Sequence, residues 1–472
     1  MVKKNKFFKT ELLASALADI REAVSGTEKD FTSLPMGKAL FLLALPMVLE
    51  MAMESVFAIA DIFFVSSVGT GAVAIVGITE SLMTVVYAIA GGLAIGTTAL
   101  VARRIGEKRT EEAGKVAVHA VVLAVFVSIA IGIPGFVYAG DILQIMGASS
   151  SAINNGGSYT SLMLGANLVI SLLFVLNAVF RGAGNAAIAM RILLFANLFN
   201  IILDPCLIYG WGPFPEMGVK GAAVATITGR GLAVILQFVY LFANRSRVLI
   251  VFSKLRYEGE ILLGIIKLSA GGIAQNIIAT SSWIFLVSMI TGFGDETIAG
   301  YTIALRVVIF ALLPSWGLSN AASTLVGQNL GAGFPQRSEK AARKAAAVNF
   351  FFMGFLSVFL IAWPQSFIRV FTTDPDVLMR GSEALRIVCY GFSMYGLGMV
   401  MSQAINGAGD TFTPTLMNLL CFWLIEIPLA WLLSHSFLQQ QGIYYAIVIA
   451  ESTLALIGFI VFRAGRWKRM KI

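Results

Sequence analysis

The chain has 472 residues, of which 58% are hydrophobic and only 13% charged, and its mean hydropathy is +0.83. Soluble globular domains average about 45–50% apolar and about 25% charged residues, so the composition excludes a soluble protein and implies that nearly the whole chain lies in a bilayer. The net charge of +8 invites a nucleic-acid reading, which the placement of the charges argues against.

The first 37 residues hold no long apolar run and do not read as a cleavable signal peptide. Leu12, Leu13, Leu17 and Ile20 fall at helical spacing. Residues 10–25 therefore read as a short amphipathic helix on the inner membrane surface, or as a loosely ordered leader. Beyond them, apolar runs of about 20 residues or more, each long enough to cross hydrocarbon, predict spans at 39–67, 72–100, 116–139, 156–180, 187–210, 220–243, 262–290, 297–325, 343–364, 384–405, 412–435 and 441–463.

Basic residues gather in alternate connections. Arg103, Arg104, Lys108, Arg109 and Lys115 follow the second span; Arg245, Arg247, Lys254 and Arg256 follow the sixth. Arg337, Lys340, Arg343 and Lys344 follow the eighth, and the tail adds five more from Arg463 to Lys471. The other connections are poor in Lys and Arg, with Arg369 and Arg380 as the exception. The positive-inside rule then puts both termini in the cytoplasm, in a multi-pass protein of the inner (plasma) membrane. Topology, rather than contact with nucleic acid, accounts for the basic clusters.

Three short matches recur at one offset, 225 residues. Residues 97–117 resemble 322–342, "FRGAGN" (180–185) resembles "INGAGD" (405–410), and "SVGTGAVA" (67–74) resembles "GFGDETIA" (292–299). They imply two parallel six-helix halves, the plan of many secondary transporters with sites near the membrane midplane. The expected fold is an all-α integral membrane protein of twelve transmembrane helices in two pseudo-symmetric lobes. The expected divisions are a cytoplasmic segment 1–37, lobes at 38–245 and 262–465, a linker at 246–261 and a basic tail at 466–472.

The first span contains Glu50, Glu54 and Asp61. At 100° per residue all three project from one stripe roughly 16 Å long. A charge at mid-bilayer costs at least ~2.5–3.5 kcal/mol, so the stripe must face protein or a wet cavity. Clustered carboxylates repel, so they either hold protons or share a cation. A buried carboxyl bonded to a neighbouring helix is the duller alternative. Glu80, Asn177, Asn200, Asp204, Thr226, Arg230, Arg306 and Glu426 are further intramembrane candidates. Asn200 and Asp204 share a helix face, and Pro205 frees a backbone carbonyl beside them. Oxygens of these kinds are the hard ligands a small cation wants. Arg230 and Arg306 read equally as ion-pair partners of a carboxylate. The repeat images of Glu50, Glu54 and Asp61 are Gln275, Ala279 and Leu286, so span 7 has no carboxylate and coupling is expected in the N-terminal half.

"GFGD" (292–295) and "GAGD" (407–410) match the GxGD of intramembrane aspartyl proteases, but both fall at helix ends and read as Gly-rich turns with a capping Asn or Asp. Cys206, Cys389, Cys421, His119 and His435 lie far apart and support neither a disulfide framework nor a metal site. Met47, Met51 and Met53 flank the acidic stripe, and Met394, Tyr395, Met399 and Met401 lie in span 10. Such faces suit binding of apolar cations, although packing explains any single one.

The segments "LALPMVLEMAMESVFAIADIFFVSSVG", "GAGNAAIAMRILLFANLFNIILDPCLIYG", "GVKGAAVAT" and "GLSNAASTLVGQNLGAG" resemble the multidrug and toxic compound extrusion (MATE) family over about residues 38–465. The resemblance implies twelve helices in two lobes around a central cavity, no enzyme activity and no cofactor. It implies export of cationic, amphipathic organic compounds in exchange for H+ or Na+. Carried over, the N-lobe cation site falls on Asp61, Asn200, Asp204 and Thr226. Glu50, Glu54, Asn177, Glu80, Gln275, Arg306 and Tyr395 are the substrate or coupling candidates. Ala279 stands where some members carry an acidic residue in helix 7, and span 10 has no membrane-central carboxylate. The expected partners are a small organic cation and membrane lipid, with no nucleic acid, and the expected state is a monomer. The rivals are a lipid-linked precursor flippase of similar plan, which requires a strongly cationic cavity, an intramembrane protease and a passive channel.

Overall fold

The computed structural model describes residues 17–26, 29–243, 246–254 and 256–472. Among these residues all regular structure is helical. A short helix α1 (17–25) precedes α2 (Met36–Ser66), α3 (Thr70–Gly106) and α4 (Thr110–Val137). Then come α5 (Ala139–Ile145), α6 (Ser150–Gly165), α7 (Asn167–Gly182), α8 (Ala186–Tyr209) and α9 (Val219–Phe242). The second half follows with α10 (Gly259–Ile290), α11 (Asp295–Gly331), α12 (Pro335–Ala362), α13 (Pro364–Ile368), α14 (Pro375–Cys389) and α15 (Phe392–Gly407). It ends with α16 (Phe412–Asn418), a π-helical segment Leu419–Glu426, α17 (Ile427–Ser434) and α18 (Gln440–Ala464). The second half restates the first: Thr70 and Asp295, Thr110 and Pro335, Ala139 and Pro364, Ser150 and Pro375, and Asn167 and Phe392 open paired helices 225 residues apart.

Among the described residues ten helices are long and apolar enough to span a membrane, and two bent pairs, each taken as one span, complete twelve. The spans expected at 156–180 and 384–405 are these bent pairs, α6 with α7 at 41° and α14 with α15 at 53°. A bend frees backbone carbonyls that lipid cannot satisfy. Buried Asn167 takes up the Leu164 carbonyl (Nδ2 to O, 2.7 Å) and reaches the Ser128 carbonyl at 3.1 Å. In the second half Ser357 Oγ donates to the Cys389 carbonyl at 2.6 Å. Span 11 is not a straight α-helix either, since its middle is π-helical.

The lobes meet at the end of the bundle that carries the basic connections. There α3 packs on α10 and α11, and α2 on α11. The crossing is reciprocal. A Cβ at Gly106 would sit 2.0 Å from the Gln328 carbonyl oxygen, and one at Gly331 would sit 2.2 Å from that of Arg103. Gln328 and Arg103 are themselves 225 apart, as expected of a two-fold axis running through the contact. Only glycine allows two backbones so close. Hydrogen bonds also join the lobes: Gln328 Nε2 donates to the Gly182 carbonyl at 2.8 Å near the same end, and Asn276 Nδ2 to that of Ala88 at 3.0 Å midway along α3. The outer faces carry exposed Phe126, Ile133, Phe351, Phe355 and Ile460, as a lipid-facing surface requires.

The Gly-rich turns are borne out, with positive φ at Gly184 (87°) and Gly409 (91°). Their caps differ. Asp410 accepts from the Thr413 backbone N–H at 3.0 Å, whereas Asn185 makes no side-chain cap bond and is buried. Asp410 lies at the basic end and Asp295 at the other, because α11, which Asp295 opens, crosses the bundle to reach that end. The two GxGD sequences therefore cannot form an aspartyl dyad. All three cysteines are free thiols. In α1, Leu17 and Ile20 are exposed and Ala23 is buried, while Leu12 and Leu13 lie outside the described residues, as does Arg245. Lys38 Nζ holds α1 to the base of α2 through Asp19 at 2.7 Å and Glu22 at 3.0 Å. Hydrogen bonds from Lys29 and Lys38 keep the Glu22 carboxyl below its usual range.

Candidate cation site and transport cavities

In the N-terminal lobe α2, α8 and α9 converge. Asn200 and Asp204 are one turn apart on α8, and Pro205 inside that helix removes one backbone donor. Asp204 is fully buried, and neither of its carboxylate oxygens has a hydrogen-bond partner among the described residues. Both amide atoms of buried Asn200, Nδ2 of Asn197 and Oδ1 of Asp61 are likewise buried without a partner. Asp61, on the far part of α2, is half-buried and close enough to Asp204 for their charges to interact. Thr226 is buried on α9, one turn before Gly229, whose Cβ position would lie 2.9 Å from Asn200 Cβ. Glycine thus seats α9 directly on the Asn200 face. A dry cluster of orphaned oxygens is costly unless it holds protons or a cation. Two carboxylates with amide and hydroxyl oxygens supply hard ligands for a small monovalent cation, or proton sites.

The single acidic stripe expected on α2 divides. Glu50 is buried against α7: Arg181 Nη2 donates to its Oε1 at 2.8 Å and Asn177 Nδ2 at 3.1 Å. Gln237 Nε2 in turn donates to Asn177 Oδ1 at 2.6 Å. Half-buried Glu54 interacts electrostatically with Arg230. Arg230 donates to Tyr87 Oη at 3.1 Å and lies 5.6 Å from the Phe57 ring centroid. Arg230 interacts with Asp61 as well as with Glu54, and Asp61 also reaches Asp204 in the α8 cluster. The cause is axial: about 16 Å of helix at 1.5 Å per residue carries the stripe from α7 to α9 and α8. Glu80 and Arg306 are exposed and near enough to interact across the lobes. Sequence reasoning missed Arg181 and Gln237, which carry no signal without the fold.

In the second lobe Gln275 and Asn406, the repeat images of Glu50 and Arg181, form a reciprocal amide pair at 3.1 and 3.0 Å. The same junction is therefore ionic in one lobe and neutral in the other. Two cavities lie nearby, the first of them bordered by Arg181 and Gln275. A chamber of 310 Å³ between the lobes is lined by Arg181, Gln275, Asn276, Asn320, Gln403 and Asn418 among others. A cavity of 280 Å³ inside the second lobe is lined mostly by aliphatic side chains, with six aromatic ones among them. Tyr395, Trp316, Phe422 and Glu451 border both. Buried Glu426 closes the π-helical segment and accepts from Ser282 Oγ at 2.6 Å. Glu451 on α18 was not among the sequence candidates. An intramembrane Glu in the twelfth span, 225 residues after Thr226, is the signal by which it could have been found. The second lobe is therefore not free of buried carboxylates; it carries them in spans 11 and 12 rather than 7.

A family model described as MatE matches residues 46–206 and 272–432, one copy in each lobe. The probable multidrug resistance protein NorM of Thermotoga maritima is 26% identical over 446 residues, covering 92% of this chain and 94% of that protein. An FAD transporter of Shewanella oneidensis is 28% identical over 409 residues, covering 85% and 89%. A structure described as the outward-facing conformation of a multidrug resistance MATE family transporter superposes with a TM-score of 0.87 at 25% identity, covering 93% of this chain and 98% of that one. The two-copy match, the duplicated helix plan and the whole-length likeness agree: the chain belongs to the MatE family of multidrug and toxic compound extrusion transporters, which move small molecules across membranes and are not enzymes.

Proposed function

We propose that the protein is a secondary antiporter that exports organic, amphipathic cations in exchange for H+ or Na+. The observation that carries this reading is the buried, unpartnered cluster of Asp204, Asn200 and Asp61 in the N-terminal lobe. A proton or a sodium ion on these oxygens relieves their desolvation, and stabilises whichever arrangement of α2, α8 and α9 binds it more tightly. Thr226 completes the set. The basic face is cytoplasmic in this scheme, with both termini inside and the protein in the inner membrane. Closure of the lobes at that face then corresponds to an outward-facing state, and the bodies 38–245 and 262–465 rock about the α3–α11 crossing. Buried carboxylates and aromatic rings in the second-lobe cavity favour a cationic cargo over an anionic dinucleotide such as the Shewanella relative's FAD. The test is ethidium efflux from proteoliposomes under separately imposed H+ and Na+ gradients. Asp61→Asn and Asp204→Asn should each leave folding intact and abolish gradient-driven efflux; normal efflux by both variants would sink the reading. The gradient that drives the wild type identifies the ion.

A further inference from the structure

Two carboxylates in the second-lobe cavity have no part in the coupling scheme above. Glu451 is only 9% exposed, borders both cavities and makes no hydrogen bond or ion pair to the described residues. Glu426, on the opposite helix, is 5% exposed and is held by Ser282. The π-helical turn that ends at Glu426 widens the helix there and rotates the residue relative to an α-helical path. Trp283, Tyr301, Trp316, Phe392, Tyr395 and Phe422 stand in the walls among aliphatic side chains. At 280 Å³ the space is far larger than a bare monovalent ion needs and near the lower bound for organic ligands, about 300 Å³. Ring faces attract cations most strongly where water is excluded, and a buried carboxylate without a partner is stabilised by a counter-charge or takes up a proton.

We propose that Glu451 and Glu426 form a recognition site for the cationic centre of an aromatic organic cation, separate from the Asp61–Asp204 cluster. The inference rests on the reading of the protein as a cation exporter. It adds that cargo and coupling ion occupy different carboxylates. The carboxylates stand on repeat counterparts of the first site's helices: the π-helical segment that carries Glu426 corresponds to part of α8, and α18, which carries Glu451, to α9, while α11 and α15 supply much of the cavity wall. Thr226 stands where Glu451 stands. The duplicated position serves an ion in one lobe, and in the other it serves cargo beside aromatic rings. Coupling then runs through movement of the lobes rather than through competition for one carboxylate.

The experiment measures equilibrium binding of tetraphenylphosphonium to the purified protein in nanodiscs without any gradient, with neutral triphenylphosphine oxide as the control. The wild type should prefer the cation. Glu451→Gln should weaken tetraphenylphosphonium binding about tenfold or more and erase the preference over the neutral control. Glu426→Gln should do so to a lesser degree, and Glu451→Asp should retain part of the affinity. Asp204→Asn should bind tetraphenylphosphonium as the wild type does while losing driven efflux. Unchanged binding in Glu451→Gln overturns the proposal, as does a loss in Asp204→Asn equal to that in Glu451→Gln. If Asp204→Asn instead transports normally while Glu451→Gln loses binding, the antiport reading fails and the site stands. Should Glu451→Gln not fold, Glu451→Asp and Phe422→Leu carry the same comparison.

Discussion

Glu50 and Arg181 show how one junction is built in two electrostatic forms. Glu50 is almost fully enclosed and Arg181 half-buried beside the inter-lobe chamber, so removing Arg181 strands a carboxylate in low dielectric. Such a loss costs about 3–5 kcal/mol, whereas replacing both partners is often neutral. The second lobe already shows the neutral form in Gln275 and Asn406. Glu50→Gln alone and Arg181→Asn alone should each lower the thermal midpoint in detergent clearly. The double variant, which copies the second lobe, should recover most of the loss. A double variant as unstable as the singles would show that the ionic form is required by its surroundings, including Asn177 and Gln237. The sequence alone put Glu50 on one stripe with Asp61 because helical geometry fixes direction but not neighbours. Asn200, Asp204 and Thr226 were legible because a single helix face and a family resemblance carry them. Arg181 was not, because its partner lies 131 residues away and nothing local marks it.

At the scale of elements, long apolar runs fix the number of spans, and the constant offset fixes their pairing. Bends escape the same reading. Gly165-Ala166 and Tyr390-Gly391 interrupt runs that look continuous, and the π-helical turn before Glu426 has no compositional signature. In each bend a side chain takes up a carbonyl beside the break, Asn167 from within the first bend and Ser357 from α12 in the other. The α3–α11 crossing is the element on which movement should turn. Replacing Gly106 by Ala would place a methyl 2.0 Å from a backbone oxygen, a contact that only separation of the helices can relieve. Overpacking of this kind costs typically about 1–3 kcal/mol, enough to shift a balanced two-state equilibrium about fivefold or more. In a cysteine-free background a Cys introduced at Thr98, which lines the inter-lobe chamber, should label faster from the basic face when Gly106→Ala is added. Equal labelling with and without that substitution would show that the crossing does not gate the chamber.

Taken as a whole, the molecule is fastened chiefly at its basic face, by its ends as well as by its helices. Arg337, just past the α11 C-terminus, donates to the Leu34 carbonyl at 2.8 Å and so ties the second lobe to the segment that leads into α2. Arg103 of the first lobe donates to the Met470 carbonyl, and Lys468 of the same tail pairs with Glu339 of the second lobe at 2.5 Å. Met470, Lys471 and Ile472 border a surface groove together with Leu100 and Arg104 from one lobe and Leu268 and Gly409 from the other. The C-terminal tail is thus a wedge seated across the seam that must open when the lobes rock. Each contact is modest, since partly exposed ion pairs contribute about 0–1 kcal/mol, but all of them favour the same state. Deleting residues 470–472 should therefore leave the fold and the thermal midpoint nearly unchanged while raising the share of molecules open at the basic face. Spin labels at Arg109→Cys and Gln336→Cys, one on each lobe at that face, report the opening as a distance distribution. The deletion should add a longer-distance population, and Arg337→Ala should enlarge it further because the N-terminal tie is independent of the tail. A distribution unmoved by both changes would mean that the α3–α11 crossing alone holds the seam, and that the termini merely rest on it.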